Sequence, residues 1–188
     1  MKLPKQPVLE GERIFLRKVK ISDAEEEASL LNDFKVVEHL GLHIKNPYPF
    51  KVKYAKKYIQ EVSRKKDKYM FMIVLKDTGR IIGAMGIEGF EKKTDYQIAK
   101  IGYWIGKEYW GKGYAKEAVS LVIDFAFKKL KLRKICAQVN EPNIASQKLL
   151  EKLGFKKEGI LREHVKYQFG DGWLNEICYG LLKREWKK

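Results

Sequence analysis

The chain has 188 residues and a mass of 22.0 kDa, room for one domain with a substantial core and too little for two large ones. At 45% hydrophobic and 12% aromatic residues it is expected to fold rather than stay disordered. Lys and Arg number 39 against 24 acidic residues, a formal charge of +15 that draws in anions such as phosphates, nucleic acid or acidic membrane. The excess is spread along the length in pairs such as Lys56-Lys57, Lys128-Lys129 and Lys156-Lys157. A Lys-rich composition typical of heat-loving organisms is the competing explanation, although there Lys is usually matched by Glu.

Met1 to Pro7 has no apolar leader core, and no run approaches the roughly eighteen apolar residues of a membrane span, so a cytoplasmic protein is expected. Cys136 and Cys178 each lie in an apolar, strand-like run, which predicts buried free thiols rather than a disulfide. His39, His43 and His164 share no ligand spacing with each other or with the cysteines, so no metal site is expected. No repeat or linker interrupts the chain, and residues 1–188 read as a single domain.

In chain order, Glu12 to Val19 predicts a first strand, and Ser22-Asp23-Ala24-Glu25 a capping box opening a helix to about Asn32. Pro49 is expected to start a second helix with Val52, Ala55, Ile59 and Val62 inward. Tyr69 to Leu75 and Ile81 to Phe90 predict a hairpin around Asp77-Thr78-Gly79-Arg80. Gln97 to Ile105, apolar on both faces, belongs in the centre of the sheet, with a bulge or close backbone approach at Gly102. A glycine-rich loop follows, then a long amphipathic helix with Ala115, Ala118, Val119, Val122, Ala126, Phe127 and Leu130 on its inner face. Lys134 to Val139 predicts a strand, and Asn143 to Leu153 a helix that Gly154 can end. Phe155 to Leu161 and Glu176 to Lys183 predict the last strands, with a turn at Gly170-Asp171-Gly172. Grouped strands with inserted helices imply a mixed α+β sheet.

The strongest local signal is Trp110-Gly111-Lys112-Gly113-Tyr114-Ala115, between a buried strand and a helix N-terminus. Its glycines can turn N–H groups toward one point where the helix adds about half a positive charge, the makings of a pyrophosphate cradle. A plain glycine turn is the alternative. The spacing is neither the dinucleotide G-x-G-x-x-G nor a P-loop.

This segment resembles the pyrophosphate loop of the GNAT superfamily of acyl-CoA-dependent N-acetyltransferases, Gln/Arg-x-x-Gly-x-Gly/Ala, with Trp110 replacing the usual first residue. A second block of that family is matched by Asn140-Glu141-Pro142-Asn143, Ser146, Leu149 and Leu153-Gly154-Phe155. Within the superfamily the chain looks most like the ribosomal-protein N-terminal acetyltransferase (Rim-type) branch. The shared features are Leu9 through Glu12-Arg13-Ile14 to Leu16-Arg17, Ile101-Gly102-Tyr103-Trp104-Ile105, the Tyr109 to Ala115 loop, and a closing Gly172-Trp173 with Tyr179. The resemblance runs from about Val8 to Leu182.

It implies a GNAT-type, mostly antiparallel central sheet with helices on both faces, acetyl-CoA as cosubstrate, and a cofactor site of Tyr103, Trp104, Ile105, Trp110, Gly111, Lys112, Gly113, Tyr114, Ala115, Asn143 and Ser146. The pantetheine arm would lie along the Tyr103 to Ile105 strand, in a splay beside Lys134 to Val139, with a backbone N–H near Ile105 polarising the thioester. Asn143 would bond the pantetheine or cap its helix. The reaction implied is direct attack by a neutral amine through a tetrahedral oxyanion, which needs a base and an acid. Base candidates are Glu88, otherwise a solvated strand residue, and Glu163, two residues before Val165, where relatives can carry a carboxylate. Ser146 could protonate the leaving thiolate or be a surface serine. The tyrosine acid that many relatives carry is replaced by Leu150, while Lys100 and Asn175 stand where Glu and Asp are usual. Tyr179 faces either the site or the core.

The first expectation for the acceptor is a ribosomal or other protein N-terminus, since a +15 enzyme is drawn to RNA-rich particles. A small amine, amino acid or polyamine, is the enzymatic alternative. Glu25, Glu26 and Glu27 form either part of an acidic pocket or a solvated helix face. A basic ribosome- or RNA-associated binding protein with a vestigial CoA loop is a third reading. A homodimer is compatible with the branch, although no heptad marks an interface.

Overall fold

The computed structural model describes residues 4–40, 48–65, 67–90 and 97–187. Its elements in chain order are β1 (Leu9–Glu10), β2 (Ile14–Lys18), α1 (Ala24–Leu30), α2 (Phe34–Val37), α3 (Val52–Arg64), β3 (Tyr69–Leu75) and β4 (Ile81–Glu88). They continue with β5 (Ile98–Ile105), α4 (Tyr114–Lys128), β6 (Lys134–Asn140), α5 (Ile144–Lys152), β7 (Lys156–Lys166) and β8 (Trp173–Leu182). The strands form one eight-stranded sheet in the order β1-β2-β3-β4-β5-β6-β8-β7. Every pairing is antiparallel except β5 with β6.

Strand alternation divides the core in two. One face carries Ile14, Leu16, Phe71, Ile73, Ile82, Met85, Ile87, Ala99 and Ile101 against Ala118, Val119, Val122 and Ala126 of α4 and Leu150 of α5. The opposite face carries Met72, Val74, Ile81 and Ala84 against Ala24 and Ala28 of α1, Val36 and Val37 of α2, and Ala55, Ile59 and Val62 of α3. Helices thus flank both faces of a mixed, mostly antiparallel sheet, as the sequence implies.

The feature that positions the site is the one parallel pairing. Strand β5 meets β6 only at Ile98 with Lys134, Ala99 with Ile135 and Lys100 with Cys136. Beyond Lys100 the two strands part, while β5 stays paired with β4 through Ile105 and β6 stays paired with β8 through Asn140.

Several local expectations need correction. Ser22 caps nothing: it lies in a 3-10 turn, and the Asp23 carboxylate takes both the Lys20 amide at 2.7 Å and the Arg17 guanidinium at 2.8 and 2.9 Å. The second long helix begins at Val52, three residues beyond Pro49, and the short α2 precedes it. A Cβ on Gly102 would meet nothing within 4 Å and its register with Gly86 is regular, so there is neither close approach nor bulge. Strands β7 and β8 extend further toward their turn than the apolar pattern predicts, to Lys166 and from Trp173. Cys136 and Cys178 are not joined in a disulfide, and both are half-buried rather than buried.

Candidate active site

The loop joining β5 to α4 is shaped by two glycines in the left-handed region, Gly111 at φ 74° and Gly113 at φ 82°. Gly113 is the N-cap of α4, and the first intrahelical bond runs from the Glu117 amide to its carbonyl at 3.1 Å. The amides of Tyr114, Ala115 and Lys116 therefore have no partner within the helix and point out of its positive end. Trp110 anchors the loop to the strand: its indole N–H donates to the Ile105 carbonyl at 2.6 Å. A hydrogen-bonding first residue is thus retained in an aromatic form.

Arg13, from the start of β2, braces the loop from below. Its Nη1 donates to the Lys112 carbonyl at 2.8 Å, its Nε to Glu117 Oε2 at 3.0 Å, and its guanidinium lies 4.8 Å from the Tyr114 ring centre. Glu117 also accepts the Arg13 and Ile14 amides at 2.9 and 3.3 Å. Burial alone would raise this carboxyl, but the Arg13 amide and guanidinium and the Ile14 amide outweigh it and hold the group below the usual carboxylate range. Arg13 and Glu117 stand 104 residues apart, and nothing in their local sequence signals the pair.

The open side of β5 follows from alternation. The Gly106 amide donates to Ile82 on β4 at 2.8 Å, so the backbone groups of Trp104 and Gly102 also turn toward β4, and those of Tyr103 and Ile105, beyond the last pairing with β6, turn into the gap. Of these the Ile105 carbonyl is taken by Trp110. The amides are left along an edge that β6 has abandoned, and a polar extended chain there would satisfy them.

Across the gap on the α5 side, Tyr103 Oη and Ser146 Oγ are 2.8 Å apart. Burial pushes the Tyr103 phenol up to about 12 against the lowering effect of Ser146, so it stays protonated at neutral pH. Asn143 Oδ1 accepts the Ser146 amide at 3.1 Å, which makes it the cap of α5 and leaves its NH2 group as the donor for anything in the gap.

The loop, the β5 edge and the Tyr103–Ser146 pair are thus brought together, and Trp104 turns the other way to pack among Met72, Val74 and Ala84. The candidate bases are not with them. Glu163 lies on edge strand β7, with β6 and β8 between it and β5. It sits at φ 46° where the register slips between Leu161 and Val165, its amide donating to Asn175 Oδ1 at 2.9 Å. It helps line an open concavity of about 650 Å³ with Arg162, His164 and Asn175. Glu88 ends β4 opposite Lys100, half exposed and paired with Lys68 at 3.3 Å. Tyr179 is a core residue at 1% exposure, its hydroxyl donating to Glu151 at 3.0 Å. The acidic run is no solvated face at Glu27, which is buried.

The acetyltransferase (GNAT) domain family matches residues 13–156. The chain belongs to this family of acetyltransferases. Uncharacterized N-acetyltransferase p20 of Bacillus licheniformis is 36% identical over 180 residues, 93% of this chain and 96% of that protein. Among solved structures, the ribosomal-protein-S5-alanine acetyltransferase of Vibrio fischeri is 26% identical with a TM-score of 0.80, covering 97% of this chain and all of that one. Mycobacterium smegmatis RimJ in complex with CoA-disulfide shares the fold, with a TM-score of 0.81 at 21% identity over 96% of this chain and 87% of that one. As a GNAT enzyme the chain draws on acetyl-CoA. A vestigial, non-catalytic role therefore loses its ground. Among the described residues no group of three His, Cys, Asp or Glu could hold a metal, and no helix is long and apolar enough to cross a membrane.

Proposed function

We propose that this GNAT enzyme acetylates the α-amino terminus of a protein, ribosomal proteins foremost, by direct attack within a ternary complex. The observation that carries the reading is the likeness over nearly its whole length to the Vibrio fischeri enzyme, which is named for an alanine of a ribosomal protein. The formal charge of +15 supports it, because it favours encounter with an RNA-rich particle over encounter with a polyamine. The same reading takes residues 1–188 as one acyltransferase domain working in the cytoplasm and belonging to the Rim-type branch.

Acetyl-CoA supplies an activated acetyl thioester. The amides of Gly111 to Ala115, Lys112 and the Arg13 brace hold its pyrophosphate at the α4 terminus. The Tyr103 amide would receive the pantetheine, with Asn143 Nδ2 as a further donor, and the Ile105 amide would polarise the thioester carbonyl. Ser146, hydrogen-bonded to Tyr103, donates a proton at the departing sulfur.

The test is calorimetric titration with acetyl-CoA, followed by thiol release with alanine- and serine-initiated peptides, spermidine and free amino acids. Micromolar binding with peptide-dependent release is expected. Release with spermidine or amino acids alone would replace the protein terminus by a small amine as acceptor.

A further inference from the structure

On the sheet face opposite α4 and α5, four side chains from four adjacent strands form one polar line. Lys100 of β5 donates to Gln138 Oε1 of β6 at 2.9 Å. Gln138 Nε2 donates to Glu176 Oε2 of β8 at 2.8 Å. His164 of β7 places Nε2 at 3.7 Å from the same carboxylate oxygen. The line starts at Lys100, where β5 and β6 stop pairing, and crosses the floor of the gap whose other face carries Tyr103 and Ser146.

We infer that Glu176 is the proton acceptor for the incoming amine, with His164 as the exit to water and Lys100 and Gln138 as positioning residues. The inference rests on the proposed acetyl transfer in the gap. The Glu176 side chain is only 15% exposed, while His164, at 53%, reaches solvent. Both partners of Glu176 meet Oε2, so among the described residues Oε1 is left to accept from a ligand. The amide of Gln138 cannot turn over, because Lys100 has only donors and holds Oε1 toward itself. That fixes the Gln138 N–H, rather than the Lys100 ammonium, on Glu176. Lys100 therefore acts through Gln138.

The proton balance closes on these groups. An ammonium acceptor gives one proton to Glu176 Oε1, and His164 passes it to water. As the N–C bond forms and the C–S bond breaks, the second proton goes to the departing thiolate through Ser146. The products are the amide, CoA thiol and one proton released per turnover. Among the described residues the groups facing Glu176 are Gln138 of β6 and, through it, Lys100 of β5, and His164 of β7.

The experiment compares wild type, Glu176→Gln and Lys100→Met with acetyl-CoA, using an alanine-initiated peptide and, free of any acceptor choice, water as nucleophile. Glu176→Gln is expected to bind acetyl-CoA as wild type does and to lose about a hundredfold or more in turnover with either nucleophile, with part of the loss recovered at high pH. Lys100→Met is expected to lower kcat several-fold with acetyl-CoA affinity unchanged. In the ligand-free protein the Gln138 side-chain amide signals should shift as acid protonates the carboxylate, and stay still in Glu176→Gln. Wild-type turnover in Glu176→Gln, or Gln138 signals indifferent to that substitution, would overturn the assignment. A wild-type protein that fails to bind acetyl-CoA would instead overturn the proposed function.

Discussion

Replacing Glu27 by glutamine removes the titrating proton of the most enclosed carboxyl group among the described residues. Glu27 lies on α1 at 2% exposure, and its Oε2 has no hydrogen-bond partner among the described residues. Burial, and secondarily the charge of Asp23, raise its carboxyl from 4.5 to about 8. The native state thus keeps a proton that the unfolded chain gives up, so this contribution is complete below about pH 4.5 and is lost as pH rises through about 8. At about 1.4 kcal/mol per pH unit the full effect is about 5 kcal/mol, and about 3 kcal/mol falls between about pH 5.5 and 8.5. Urea unfolding of wild type and Glu27→Gln across that range is the assay. The wild type should lose about 3 kcal/mol relative to the variant, about 1 M in midpoint at an m-value of about 2 to 3 kcal/mol/M. Comparing the two proteins cancels the other titrating groups, including Glu117 and Glu185, whose lowered carboxyls act in the opposite sense at acid pH. A wild-type-minus-variant difference that stays constant with pH would refute the reasoning.

Three further outcomes follow from the site. Gly113→Glu places a side chain at φ 82°, 3.3 Å from Arg13 Nη2 at its Cβ, and adds negative charge to the proposed phosphate cradle; calorimetry should detect no acetyl-CoA binding. Arg13→Met removes the brace on the Lys112 carbonyl and should weaken acetyl-CoA about tenfold, with a larger change at low salt than at high salt if the guanidinium charge matters. Ser146→Ala should lower kcat about ten- to a hundredfold in thiol-release assays with acetyl-CoA affinity unchanged, while stability changes by less than about 1 kcal/mol because the α5 cap uses the Ser146 backbone amide.

What could be read from the sequence was local. The loop between β5 and α4, the apolar stripe of α4 and the Asn143 cap each depend on neighbours within a few residues, and their pattern shows in the chain itself. The long-range pieces left no such trace. Arg13 meets Glu117 across the sheet, and Lys100, Gln138, Glu176 and His164 meet because β6 and β8 lie between β5 and β7, a sheet order that no local pattern encodes. The burial of Glu27 is hidden for a different reason. Three consecutive acids look solvated, yet helical rotation points the third into the α3 side of the core. Ser22 does not cap α1 because it lies inside the 3-10 turn that Asp23 closes on the Lys20 amide, and Pro49 stays outside α3 because the Asn32 side chain takes both the N–H and the carbonyl of Phe50.

Among the described residues only three residue pairs join β5 to β6, a seam in the middle of the sheet. Strands β1 to β5 form one plate and β6, β8 and β7 another, and beyond Lys100 no strand pairing joins the plates among the described residues. A ligand wedged along that seam would bond to both plates at once, acting as a rivet. The work of prying them apart would then be done against the ligand as well as the core, so cofactor concentration becomes a mechanical variable of the fold. Slowed amide exchange should follow the rivet outward along β5 and β6 and fade at β1 and β7, where the plates meet only water.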